Sequence, residues 1–454
     1  MTNTITPAEN PLGTAPVGSL LRKFAIPSII SMTVSSLYNI VDQIFIGQGV
    51  GMLGNAATNV GFPMTTIATA LALLIGIGGA ANFNLALGRK QTERARCIAG
   101  TAFGSLIISG ILLCIIFQCF LKQIVLACGA TEQTLPYALA YVGITSLGLP
   151  FYMVVTGGNH LIRADGKPTY SMASMLSGTI INTILDPLFI FVFHWGIQGA
   201  ALATVLGQIF SAMMVFVYIP RYLNHSLKLP DLLPRPGYLK AVVSLGSAAC
   251  LNQLAITVVQ IVLNNTLRHY GALSPYGSDI PLAAVGIIMK VNMLFLSVVI
   301  GLSQGAQPII GFNYGAGKYD RVKEAYLKAA GAATVVAIVG VLCFQIFPRQ
   351  IISFFGSGDE LYYEFSVKFF RIFLFATFFN GIQPVTSNFF TSIGKASRGI
   401  FLAMTRQIIF LLPLVLIFPL FMGIDGVMFA GPISDSAAGI IAIILVSREF
   451  RRLK

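Results

Sequence analysis

Twelve stretches of this chain are apolar for about twenty residues or more, and that pattern settles the fold class before any motif does. They fall near 24–46, 58–81, 98–121, 136–158, 171–193 and 199–219, then near 241–267, 283–310, 326–347, 369–391, 400–421 and 427–447. A bilayer core takes ~20 apolar residues per helix, and backbone groups in lipid must pair within their own helix. The expectation is an all-α integral membrane protein of twelve transmembrane helices. The 283–310 run is long enough to be tilted or broken. Composition agrees, with 56% of residues hydrophobic and 10% charged, against roughly 25% charged in a soluble domain.

The net charge of +13 is unevenly placed. Lys and Arg gather at the two ends of the chain and in every second loop, and Lys290 is the one cation counted inside a span. That is the positive-inside pattern, which puts both termini in the cytoplasm and argues against nucleic acid as a partner. Residues 1–23 read as a cytoplasmic tail with no cleavable signal. Residues 24–219 form an N-terminal six-helix lobe, 220–240 a cytoplasmic linker carrying Pro230, Pro234 and Pro236, 241–447 a C-terminal six-helix lobe, and 448–454 a second tail. The six cysteines show no CxxC spacing, so neither a disulfide framework nor a zinc site is indicated. The four histidines (His160, His194, His225, His269) sit at loop edges, where an interfacial position is expected. A membrane enzyme such as a transferase would need clustered acids or histidines with a metal or nucleophile, and the sequence offers no such cluster. The stretch QPIIGFNYGAG lacks the lysine and the strand context of a phosphate loop.

The halves repeat. IRADGKPTYSM after the fourth run matches FTSIGKASRGI after the tenth, and WGIQGAALA before the sixth matches MGIDGVMFA before the twelfth. Six spans and a linker per repeat give two lobes of the same orientation, and parallel repeats with sites between them are a transporter signature. In the first run Ser31, Ser35, Tyr38 and Asp42 step by four, three and four, one polar stripe on one helix face. Gln253, Thr257, Gln260 and Asn264 repeat those steps in the seventh run, so Asp42 maps onto a neutral Asn264. An ionisable group at membrane depth costs at least ~3 kcal/mol on insertion scales, and such groups mark ion and substrate pathways. The fifth run adds Ser174, Gly178, Asn182 and Asp186 at four-residue spacing, with Pro187 next to free the carbonyl of Thr183. At ~1.5 Å per residue, Asp42 and Asp186 come to similar depth. Two such carboxyls should titrate as a coupled pair.

VDQIFIG followed by GVGMLGNAATNVGFP, the GRKQTERA loop, ADGKPTYSM and NTILDPLFIF resemble the multidrug and toxic compound extrusion (MATE) family over about 20–450. The resemblance implies the V-shaped MATE fold of two pseudo-symmetric lobes, in a monomer embedded among the lipids of the inner (plasma) membrane. It also implies an antiporter that exports lipophilic, often cationic drugs in exchange for H+ or Na+, with no other cofactor. It places the coupling-ion site on Tyr38, Asp42, Asn182, Asp186 and Thr204, with sodium, if used, at Asp42, Asp186 and Asn182. Another branch of the family carries acids in the seventh and tenth helices, but CLNQLAI and FFNGIQP have none here. Asp435 is the only acid within a span of the C-terminal lobe; it either functions or pairs with a polar neighbour. Lys290 either lines the cavity or snorkels to an interface. Aromatic and Met side chains suit flat, greasy cations, and the expected substrate cavity takes in Gln260, Asn264, Met175, Met289 and Tyr152. A lipid-linked oligosaccharide flippase of the same superfamily would want a large basic cavity, and Lys290 alone answers that description.

Overall fold

The computed structural model describes residues 10–225, 227–355 and 359–453. The described residues form helices and contain no strand. Ten helices are long and apolar enough to cross a membrane, and two bent pairs bring the spans to twelve. We number them α1 Val17–Gly49, α2 Met52–Gly88, α3 Thr92–Cys119, α4 Leu135–Leu147 with Leu149–Ala164, α5 Pro168–Val192 and α6 Gly196–Tyr218. The second half gives α7 Pro236–Ala272, α8 Asp279–Gly315, α9 Tyr319–Ile346, α10 Glu360–Phe373 with Gln383–Ser392, α11 Ala396–Met422 and α12 Ile424–Phe450.

The repeat is visible in where the helices fail. In the N-terminal lobe α4 bends by 54° around Gly148, ahead of Pro150, and in the other lobe α10 bends by 57° around a tight turn at Thr377–Gly381, ahead of Pro384. Each proline lacks an amide proton, so the helical ladder cannot run straight through. The fifth helix of each half opens into a wide turn, Leu188–Val192 after Pro187 in α5 and Thr405–Leu411 in α11. The long eighth run, expected to be tilted or broken, is one unbroken helix of 37 residues with Pro308 inside it.

The lobes pack on each other near the end that carries both termini. There Gly246 of α7 lies against the backbone of Leu74 in α2, where an added Cβ would stand 1.7 Å from the carbonyl oxygen. A Cβ on Gly305 of α8 would stand 2.5 Å from the Cα of Ala25 in α1, and one on Gly301 2.6 Å from that of Ile29. Only glycine allows backbones this near. Further along, Thr33 Oγ1 and Ser297 Oγ meet at 3.1 Å. Past that contact the walls part: Leu37, Ile44, Ile67 and Met293 are about half exposed, and nothing stands within 4 Å of a Cβ built on Gly286. The result is a V closed at the terminal end and open at the far end.

Helix α1 belongs to both arms of that V. Its Val17, Leu20, Leu21, Phe24 and Ala25 join one core with Val299, Ile309 and Phe389 of the C-terminal lobe, while Ile46 at its other end packs with Ile190 of α5 and Ile197 of α6. The preceding turn is strapped down as well. Asn313 Nδ2 donates to the Leu12 carbonyl at 2.8 Å, Lys318 Nζ to that of Gly13 at 2.8 Å, and Arg321 Nη2 to that of Ala15 at 2.6 Å.

Two expectations change. His160, expected at an interface, is 4% exposed inside α4; its Nδ1 meets the Arg163 guanidinium at 3.0 Å, because a buried arginine takes whatever acceptor is in reach. His225 has no described side chain. Arg406, counted with the loop cations, instead lies inside the α11 span, in its wide turn.

Candidate functional site

The polar stripes of α1 and α5 face each other inside the N-terminal lobe. On α5, Ser174, Gly178, Asn182 and Asp186 are all buried. They are held against α6 by a reciprocal pair of serines, Ser174 Oγ donating to the Ser211 carbonyl at 3.1 Å and Ser211 Oγ to that of Ser174 at 2.6 Å. Gly178 and Gly207 let the two backbones touch one turn further on. This sets Asn182 Nδ2 at 3.4 Å from Asp186 Oδ1 and 3.5 Å from Thr204 Oγ1. From α1, the Asp42 carboxyl comes beside Asp186 and the Tyr38 hydroxyl, and Tyr38 beside Thr204. Tyr38, Asp42, Asn182, Asp186 and Thr204 therefore share one pocket.

What that pocket leaves open is as telling as what it holds. Asp42 Oδ1, Asn182 Oδ1 and Asp186 Oδ2 are buried without a hydrogen-bond partner. No Lys, Arg or His of the described residues forms an ion pair with either acid. Native interiors rarely strand three acceptors together, and two carboxylates in contact away from water need a positive charge between them. A proton or a sodium ion fits these oxygen donors as cargo. Two contributors lack any periodic signal on α1 or α5. Tyr141 of α4 lies beside both acids, and Gln208, one turn beyond Thr204 on α6, keeps its Oε1 unpartnered and aims it at Gly148, where α4 bends.

The stripe of α7 shares the spacing of the α1 stripe but not its direction. Val242 and Gly246 face α2, and steps of four and three carry that face on through Gln253, Thr257, Gln260 and Asn264. These side chains line the open cleft between the lobes, where Gln260 Nε2 donates to Asn264 Oδ1 at 3.1 Å. The α7 positions turned into their own lobe are Val259 and Leu263, both in the core. The other expected cavity residues are scattered. Tyr152 bonds Thr69 Oγ1 at 2.6 Å between α4 and α2, Met289 packs on the core of the C-terminal lobe, and Met175 is half-buried on α5.

Asp435 has its own company. Asn380 Nδ2 donates to it at 3.0 Å and Arg406 Nε at 2.5 Å, so the acid is tied to the turn that bends α10 and to the wide turn of α11. This buried network satisfies the carboxyl on both oxygens, unlike the acids of the other lobe.

Twelve apolar spans, two lobes with matching irregularities, and a stranded set of buried oxygens in one of them define a polytopic membrane transporter. The chain belongs to the MatE family, whose model matches it once in each half, at residues 27–188 and 248–417. It is similar to the multidrug export protein MepA of Staphylococcus aureus (strain MRSA252), 24% identical over 437 residues that cover 95% of this chain and 94% of MepA. MepA of Staphylococcus haemolyticus (strain JCSC1435) matches at 24% over 435 residues with the same coverage. Among solved structures, an outward-facing multidrug resistance MATE family transporter superposes with a TM-score of 0.91 over 99% of each chain, at 22% identity. This chain is a membrane transporter of the MATE family.

Proposed function

We propose that this transporter is a plasma-membrane efflux antiporter working by alternating access, as a monomer with both termini in the cytoplasm. It exports lipophilic compounds, often cationic, in exchange for protons or sodium ions. The observation that carries the reading is the set of unpartnered oxygens on Asp42, Asn182 and Asp186. A cation loaded there joins α1 to α5. Because the terminal half of α1 is buried with the C-terminal lobe, loading also bears on how the lobes meet. Pro27 sits between the two halves of α1, and Ser28 and Ser31 turn their hydroxyls onto the carbonyls of Phe24 and Pro27, so this is where the helix can bend. Ion and drug then antagonise each other through a coupling free energy, as antiport requires.

The test is drug uptake into proteoliposomes under an imposed pH gradient, then under an imposed sodium gradient. One gradient should drive transport, and Asp42→Asn or Asp186→Asn should abolish that response while equilibrium drug binding survives. Full gradient-driven transport in Asp42→Asn would end the reading.

A further inference from the structure

Lys290 lies inside the α8 span. It stands eleven residues from the far end of α8 at Asp279, about 16 Å along the helix at ~1.5 Å per residue. Its direction follows from register. Ser297 meets Thr33 of α1, and Gly301 and Gly305 meet Ile29 and Ala25. Lys290 precedes Ser297 by seven residues and so continues that face, past the Thr33–Ser297 contact and toward the cleft. Its side chain is exposed there, and no acid of the described residues pairs with it.

The rest of the cleft sharpens the point. On the C-terminal side stand Lys290 and the amides and hydroxyl of the α7 stripe. On the N-terminal side Leu37, Ile44 and Ile67 present bare hydrocarbon. Among the described residues, the acids of the α1 and α5 spans, Asp42 and Asp186, are turned away from the cleft, on the opposite side of α1 and on α5. One wall is greasy and the other polar with a single positive charge.

We infer that the cleft selects amphiphiles carrying an anionic group, with the carboxylate, sulfonate or phosphate held by Lys290 and the apolar body laid against α1 and α2. This rests on the efflux reading but departs from its often-cationic substrates: a zwitterion satisfies both, and a simple organic cation meets Lys290 as a like charge. The ammonium, with no acid beside it, supplies a charge-assisted hydrogen bond to the anionic group.

The test uses the full-length protein in phosphatidylcholine nanodiscs and two probes that share one apolar body, 1-pyrenebutyrate and 4-(1-pyrenyl)butyltrimethylammonium. Saturable binding is read by fluorescence anisotropy against empty nanodiscs. The anion should bind at least about tenfold more tightly than the cation, the discrimination a hydrogen bond to a charged group supplies. Lys290→Gln should erase that preference and Lys290→Arg should keep most of it. Equal binding of the two probes by the native protein, or preference for the cation, overturns the inference without recourse to any variant. So does a preference that survives Lys290→Gln. Gradient-driven uptake of the same probes into proteoliposomes separates the two readings. Anion-selective binding with no driven transport leaves Lys290 as the selector and removes antiport, whereas driven transport of the cation alone keeps antiport and removes the selector.

Discussion

If the lobes alternate, the glycine seam between α2 and α7 holds the present state closed at the terminal end, and Gly246→Ala should open it. The added methyl would stand 1.7 Å from the Leu74 carbonyl oxygen, 2.6 Å from its carbon and 2.9 Å from its Cα, all backbone atoms that cannot rotate aside. Ordinary contact begins near 3.4 Å, so the helices must part by about 1.7 Å at that point. Overpacking of this kind costs ~1–3 kcal/mol, and that penalty falls only on the state in which the seam is shut. The balance between shut and open forms should then move by roughly 5- to 150-fold. Spin labels on exposed Glu93 and Ser397, one in each lobe near the terminal end, report the separation. Gly246→Ala should shift their distance distribution toward longer values. Gly286→Ala is the control, because open space surrounds that position and alanine only improves the helix there, by ~0.5–1 kcal/mol. An unchanged distribution in Gly246→Ala, or the same shift in Gly286→Ala, would refute the seam as the closing element.

Three further outcomes follow from single sites. Asp435→Asn leaves Arg406 without its carboxylate in a buried network and should cost about 3–5 kcal/mol, read as lost thermal stability with gradient coupling retained in the surviving protein; loss of coupling there and not in Asp42→Asn would move the ion site to the C-terminal lobe. Asp165, in the loop after α4, is pushed up to about 6 by burial, although the Tyr218 hydroxyl at 2.7 Å and the Leu223 amide work the other way. The folded state therefore holds this proton more tightly than the unfolded chain, so stability should fall as pH rises from roughly 4 to about 6 and level off above. Asp165→Asn should remove that step from a thermal-stability pH profile. A cysteine replacing Glu93, in a background stripped of native thiols, should react with a membrane-impermeant maleimide only from the cytoplasmic side; labelling in intact cells would invert the topology.

Much of this architecture is legible in the sequence because a bilayer removes most alternatives. Length and hydropathy give the spans, since lipid-exposed backbone has no other way to satisfy its hydrogen bonds. The bends of α4 and α10 are not legible from hydropathy, which cannot tell a straight apolar run from a broken one; Gly148–Pro150 and Pro384 are the signals, and each is a short motif inside an uninterrupted window. Arg406 escaped for a related reason. A cation near the start of a run reads as loop until the wide turn of α11 and its pairing with Asp435 show that it is inside.

The stripes of α1 and α7 show where sequence periodicity stops being informative. Equal spacing establishes that four residues share a helix face, but not which neighbour that face meets. On α1 the face that touches the other lobe passes through Ala25, Ile29 and Thr33, and the stripe ending at Asp42 lies on the far side of the helix, turned into its own lobe. On α7 the face through Val242 and Gly246 touches the other lobe, and the stripe ending at Asn264 runs straight on from it. The residues of α7 that occupy the inward direction are Val259 and Leu263, which can hold no ion. The asymmetry is thus deeper than the exchange of Asp42 for Asn264. One repeat spends its polar stripe on a buried pocket and the other on the wall of the cleft. A duplicated fold can divide ion and substrate between its halves in this way, by rotating a polar face about one helix axis rather than by changing the spacing of its residues.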